Sequence, residues 1–85
     1  MHKAAPLLRA FGAKLHAARK AKGLTQKQLG DLAGLHRSYL GDIEQGTRNL
    51  GFINLAALAK ALDTTVSELC QGVEEQSQIK TGRRT

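Results

Sequence analysis

Leucine and alanine recur along this chain at intervals of three and four, and no stretch alternates apolar with polar residues. That period belongs to helices with one buried face, so the pattern predicts an all-α protein. Leu8, Phe11, Leu15 and Ala18 are spaced 3, 4, 3 and predict a first helix over residues 6–21. Pro6 suits a first helical position, basic residues at 19, 20 and 22 suit the negative end of the helix dipole, and Gly23 supplies a left-handed stop. Thr25 with Gln28 reads as a capping box for a short second helix, with Leu29, Leu32 and Ala33 inward and Gly34 at its end. A third helix is expected over 37–44, with Leu40 and Ile43 buried and Gly46 closing it. After the polar loop QGTRNLG, a fourth over 52–62 lays Phe52, Leu55, Leu58, Ala59 and Leu62 on one face. A fifth, short helix follows Thr65, with Glu68 completing a second capping box and Val66 and Leu69 turned inward.

The expected layout is thus an N-terminal arm over 1–5, a five-helix domain over 6–70 and a flexible polar tail over 71–85. Eighty-five residues hold one domain at most and leave no room for a separate catalytic unit. Cys70 is alone, which rules out an intrachain disulfide and fits a reducing compartment. No apolar run has signal-peptide or membrane-span length, so a soluble cytoplasmic protein is expected.

Charge adds direction to this picture. Residues 1–50 carry nine Lys/Arg against three acids, whereas 51–85 carry four of each, so the whole net charge of +6 lies in the first half. A one-sided positive field suits a polyanion. Catalytic and metal chemistry find no footing. The three histidines are scattered without Cys or carboxylate at ligand spacing, and there is neither a nucleophile–base signature nor a phosphate-binding glycine loop. A non-enzyme without metal or cofactor is the expectation.

The informative stretch is TQKQLGDLAGLHRSYLGDIEQG, residues 25–46, where two short helices meet at a turn too brief for anything but a sharp corner. Gly30 inside a helix costs about 1 kcal/mol relative to alanine, so close helix packing is its expected reason. Here the chain resembles the Cro/C1 (XRE) type of helix-turn-helix regulators. The matching runs are FGAKLHAAR, GLTQKQL, AGLHRSYL and IEQGTRN followed by LAALAKAL, over about 60 of the 85 residues. HRSYLGDIEQGTRNL is particularly similar to controller proteins of restriction–modification systems. The resemblance departs at Leu50-Gly51, at His36 in place of a better N-cap, and at Asp63 in place of a frequent glycine.

The resemblance implies a compact lambda-repressor-like fold, with the third helix laid in the major groove of duplex DNA. Arg37, Ser38, His36 and Asp42 then face base edges: Arg37 suits guanine O6 and N7, and Asp42 either accepts from cytosine N4 or orients Arg37. Phosphate contacts fall to Gln26, Lys27, Tyr39, Gln45, Thr47, Arg48 and Asn49. Gly41 keeps that face of the helix low for approach to the groove. Arg19 and Glu44 match an ion pair bridging the first helix to the end of the third.

Apolar residues beyond one small core, Ile53, Val66, Leu69 and Cys70, point to a homodimer interface. The functional expectation is a homodimeric, sequence-specific transcriptional regulator of a partly palindromic operator. An antitoxin or adaptor is the second reading, with a toxin or RNA polymerase as protein partner.

Overall fold

The structure, a computed structural model, describes residues 4–77. Its elements in chain order are α1 (Ala4–Ala21), α2 (Gln26–Ala33), α3 (Arg37–Gln45), α4 (Phe52–Ala61), α5 (Val66–Leu69) and α6 (Val73–Ser77). No strand occurs among the described residues. The core is a continuous cluster of Phe11, Leu15, Leu29, Leu40, Ile43, Leu58, Ala59, Leu62, Leu69 and Val73, so each helix contributes to one apolar interior.

Two close approaches fix how the helices cross. Gly12 of α1 lies against the end of α3, where a Cβ would run into the backbone carbonyls of Glu44 and Ile43. Gly30 of α2 faces the Leu35 carbonyl, at 2.5 Å from where its Cβ would stand. A side chain at either place would push the helices apart. The helical cost of glycine at position 30 is therefore offset by packing.

Cap chemistry largely follows the residue types. The box at α2 is complete: Thr25 Oγ1 accepts from the Gln28 amide (3.0 Å), and Gln28 Oε1 accepts from the Thr25 amide (2.9 Å). The second box forms only in part. Thr65 Oγ1 accepts from the Glu68 amide, but the Glu68 carboxylate takes the neighbouring Thr64 hydroxyl at 2.7 Å instead of the Thr65 amide. Asp63, standing where glycine is frequent, adopts a left-handed φ of 59°. A short polar side chain tolerates that conformation better than most.

Several expectations are corrected. The first helix begins at Ala4 rather than Pro6, so the expected arm is partly helical, and residues 1–3 lie outside the described residues. The expected flexible tail begins instead as α6, which packs on α1 with Val73 buried; residues 78–85 lie outside the described residues. One valine in a polar run gives no period to read, yet Gly72 (φ 80°) turns the chain so that Val73 drops into the core. Leu32 is exposed (62%), because Leu29, Gly30 and Ala33 span a 100° arc on α2 and Leu32 falls outside it. Phe52 shares the inward phase of Ala59, seven residues on, but no described element covers it and the residue is 70% exposed.

Candidate nucleic-acid interface

The corner between α2 and α3 turns at Gly34, in a left-handed conformation (φ 76°), whose amide and that of Leu35 both donate to the Gly30 carbonyl. Beyond it, His36 caps α3 with its ring. Nδ1 accepts from the Ser38 amide at 3.1 Å and stands 2.7 Å from the Ser38 hydroxyl. A backbone N–H can only donate, so Nδ1 is the acceptor and the neutral ring carries its proton on Nε2. An imidazole thus does what Ser, Thr or Asp ordinarily does at a helix start. His36, Arg37 and Ser38 are all exposed on this first turn.

Behind the corner lies a largely buried charge cluster. Arg19 is buried, and its Nε donates to Glu44 Oε2 at 2.6 Å, Nη2 to Glu44 Oε1 at 3.1 Å and Nη1 to the Leu24 carbonyl at 2.7 Å. His16 Nδ1 stands 2.9 Å from Glu44 Oε1, and Gln26 Nε2 donates to the same oxygen at 3.1 Å. Burial works to raise the Glu44 carboxyl, but the bonds from Arg19, His16 and Gln26 outweigh it and hold the group below the usual carboxylate range. The bond to Glu44 raises Arg19 in turn, against burial. One carboxylate therefore ties together α1, the start of α2 and the end of α3.

Gln26 is thereby held across α3. Its side-chain amide covers Gly41, with Oε1 3.3 Å from where a Cβ would stand. Gly41 makes room for Gln26 on that face of α3. Because the capping box occupies the amides of Thr25 and Gln28, those of Gln26 and Lys27 are the first-turn donors left for an anion. They border an open depression of about 490 Å³ lined in part by Arg19, Lys20, Lys27 and Arg37. Lys27 makes an exposed 3.0 Å pair with Asp31.

A second cluster sits at the other end of α3. Asp42 Oδ2 is 3.6 Å from Arg48 Nη2, so the carboxylate stands with Arg48 rather than orienting Arg37. The Arg48 guanidinium lies 5.2 Å from the centre of the Tyr39 ring. The Tyr39 hydroxyl accepts from Asn54 Nδ2 at 3.1 Å, which leaves its own O–H to donate outward. Thr47 turns back to cap α3, its amide and hydroxyl both donating to the Asp42 carbonyl at 3.0 and 3.2 Å. Gln45 and Asn49 are exposed beside it. Sequence reasoning missed His16 and Asn54. His16 stands three residues before Arg19, so a shared helix face was readable; Asn54 meets Tyr39 across 15 residues and gave no local signal.

Of the residues expected at a homodimer interface, Ile53 is 81% exposed and Val66 and Cys70 are half-buried. Leu69 is a correction: at 2% exposure it belongs to the core, because the four-residue α5 has only one side chain deep enough to close the cluster. Burial pushes the Cys70 thiol up, against the pull of Lys14. Among the described residues no three His, Cys, Asp or Glu side chains converge on a metal-sized site, and no helix is long and apolar enough to cross a membrane.

The helix-turn-helix family profile matches residues 15–69, which contain the whole corner and both charge clusters. The chain belongs to the Cro/C1 (XRE) type helix-turn-helix family. Within the family it is 42% identical over 60 residues to control protein C.SmaI of Serratia marcescens, covering 68% of this chain and 71% of that one. The crystal structure of the restriction–modification controller protein C.AhdI from Aeromonas hydrophila superposes with a TM-score of 0.72 at 48% identity, covering 73% of this chain and 94% of its own. SinR, a master regulator for biofilm formation solved in complex with DNA, superposes with a TM-score of 0.66 at 32% identity, covering 69% and 95% of the two chains.

Proposed function

We propose that this helix-turn-helix chain is a transcriptional regulator that binds a partly palindromic operator in duplex DNA as a homodimer. The observation that carries the reading is the exposed first turn of α3, His36, Arg37 and Ser38, held beside the free amides of α2 by the Arg19–Glu44–Gln26 bonds. Base-edge readers and phosphate-binding donors are thus locked to one frame, as major-groove docking requires. Arg37 reads guanine, Ser38 and the His36 Nε2–H add donors, and Gln26, Lys27, Tyr39, Gln45, Thr47, Arg48 and Asn49 flank the groove at the phosphates. The exposed Phe52 and Ile53, with the half-buried Val66 and Cys70 of the α5 segment, supply the surface for a second copy. The controller-protein relatives and the DNA complex of SinR support a regulatory role at a promoter.

Selecting bound duplexes from a random pool tests this directly. The expected result is an enriched motif with two inverted half-sites about one helical turn apart, or a multiple of that spacing. On that duplex Arg37→Ala should cost about 1–3 kcal/mol in affinity while binding to scrambled DNA stays nearly unchanged. A pool that never enriches, or an Arg37→Ala loss equal on both duplexes, counts against the reading and favours a protein partner instead.

A further inference from the structure

Asp42 and Arg48 occupy the same rim of the recognition helix, one a carboxylate facing a polyanion, the other a cation paired to it. Alone, a carboxylate there repels phosphate. Paired, it also occupies the guanidinium that would otherwise bind phosphate. The pair is 3.6 Å long and its side chains are 47% and 54% exposed, so it adds little to folding and exchanges readily for another partner. Arg48 is meanwhile kept in place by stacking on Tyr39, whose ring is anchored to α4 through Asn54. The guanidinium is therefore pre-positioned at the groove edge but electrostatically occupied.

We propose that Asp42 gates Arg48. On an unsuited sequence the Asp42 carboxylate keeps hold of Arg48 and blunts its grip on the phosphates. Where the groove presents an exocyclic amino group to Asp42, such as cytosine N4, the carboxylate turns to the base and Arg48 is released to the backbone. Base identity under Asp42 is thereby coupled to backbone affinity through Arg48. Asp42 is a specificity-determining residue even on sequences it does not bind. The gate rests on the operator-binding reading above and extends it to a coupling between two side chains.

Four proteins test it: the unsubstituted chain, Asp42→Asn, Arg48→Gln and the double variant, titrated with a scrambled duplex at several salt concentrations. Asp42→Asn should tighten binding to scrambled DNA about fivefold at low salt and steepen the salt dependence by about 0.9, the slope of one added phosphate contact. In the Arg48→Gln background the same change should shift affinity less than about twofold. On the selected duplex Asp42→Asn should give no such gain, so discrimination narrows. Equal gains in both backgrounds would make Asp42 a free-standing field charge and overturn the gate, as would no gain in either. Because scrambled DNA is the probe, these outcomes do not depend on the role of Arg37. Failure of the unsubstituted chain to bind any duplex overturns the underlying reading as well.

Discussion

Glu44 accepts from Arg19 and Gln26 on two oxygens, with His16 Nδ1 beside one of them, and its side chain is only 4% exposed. Removing one member of such a pair leaves a buried charge without compensation. Arg19→Met or Glu44→Gln should each cost about 3–5 kcal/mol, and the double variant should lose less than the sum. Additive losses in denaturant melts would show that the two charges do not interact. The same carboxyl sets a pH dependence. Its folded value is depressed, so its contribution is complete above the ordinary glutamate range near about 4.3 and is lost as pH falls through the lower folded value. Chemical denaturation between pH 7 and pH 3 should therefore show a steeper acid loss in the unsubstituted chain than in Glu44→Gln.

Between helices, the tightest constraint is a missing side chain. Gly12→Ala gains helix propensity in α1 but drives a Cβ into the carbonyls of Ile43 and Glu44. The net loss should be about 1–3 kcal/mol, a drop of several degrees in Tm by calorimetry. An unchanged melting point would mean that α1 and α3 can separate without cost. This level also separates what was legible in the chain from what was not. Helix existence, the α2 capping box, the corner at Gly34 and the Arg19–Glu44 bridge were readable, because each rests on local spacing or a resemblance with ordered runs. Leu32 was misread because Leu29 and Ala33 agreed on a face and it was counted with them. Phe52 was misread because a correct phase says nothing about whether another element reaches that turn. α6 was invisible, since a helix recruited by a single valine has no periodicity, and the Tyr39–Asn54 bond joins elements the sequence lists far apart. The pairing of Asp42 with Arg48 rather than Arg37 was likewise beyond spacing arguments, because it depends on where the loop after α3 returns.

For the molecule as a whole, basic donors gather at the corner between α2 and α3, while Phe52 and Ile53 present apolar area at the start of α4. An operator with two half-sites needs two copies in fixed relation, and such area is where they would join. Ile53→Glu should leave the fold intact, as the side chain is 81% exposed, but shift light scattering at tens of micromolar from dimer to monomer. Binding to the selected duplex should then weaken and lose its dependence on half-site spacing. A dimer unaffected by Ile53→Glu would place the interface elsewhere.

The docking of α6 on α1 has a consequence for how this protein can be cut. The family profile spans residues 15–69, but burial is not confined there: Phe11 lies before that stretch and Val73 after it, and both are walls of the same interior. The portion that the family profile spans is thus smaller than the portion that closes the core. A fragment trimmed to that stretch would keep every groove-facing residue from Gln26 to Asn49 and still lose two walls of its core, along with the first half of the helix that carries Arg19. The profile marks one border on this chain, and the buried interior marks a wider one.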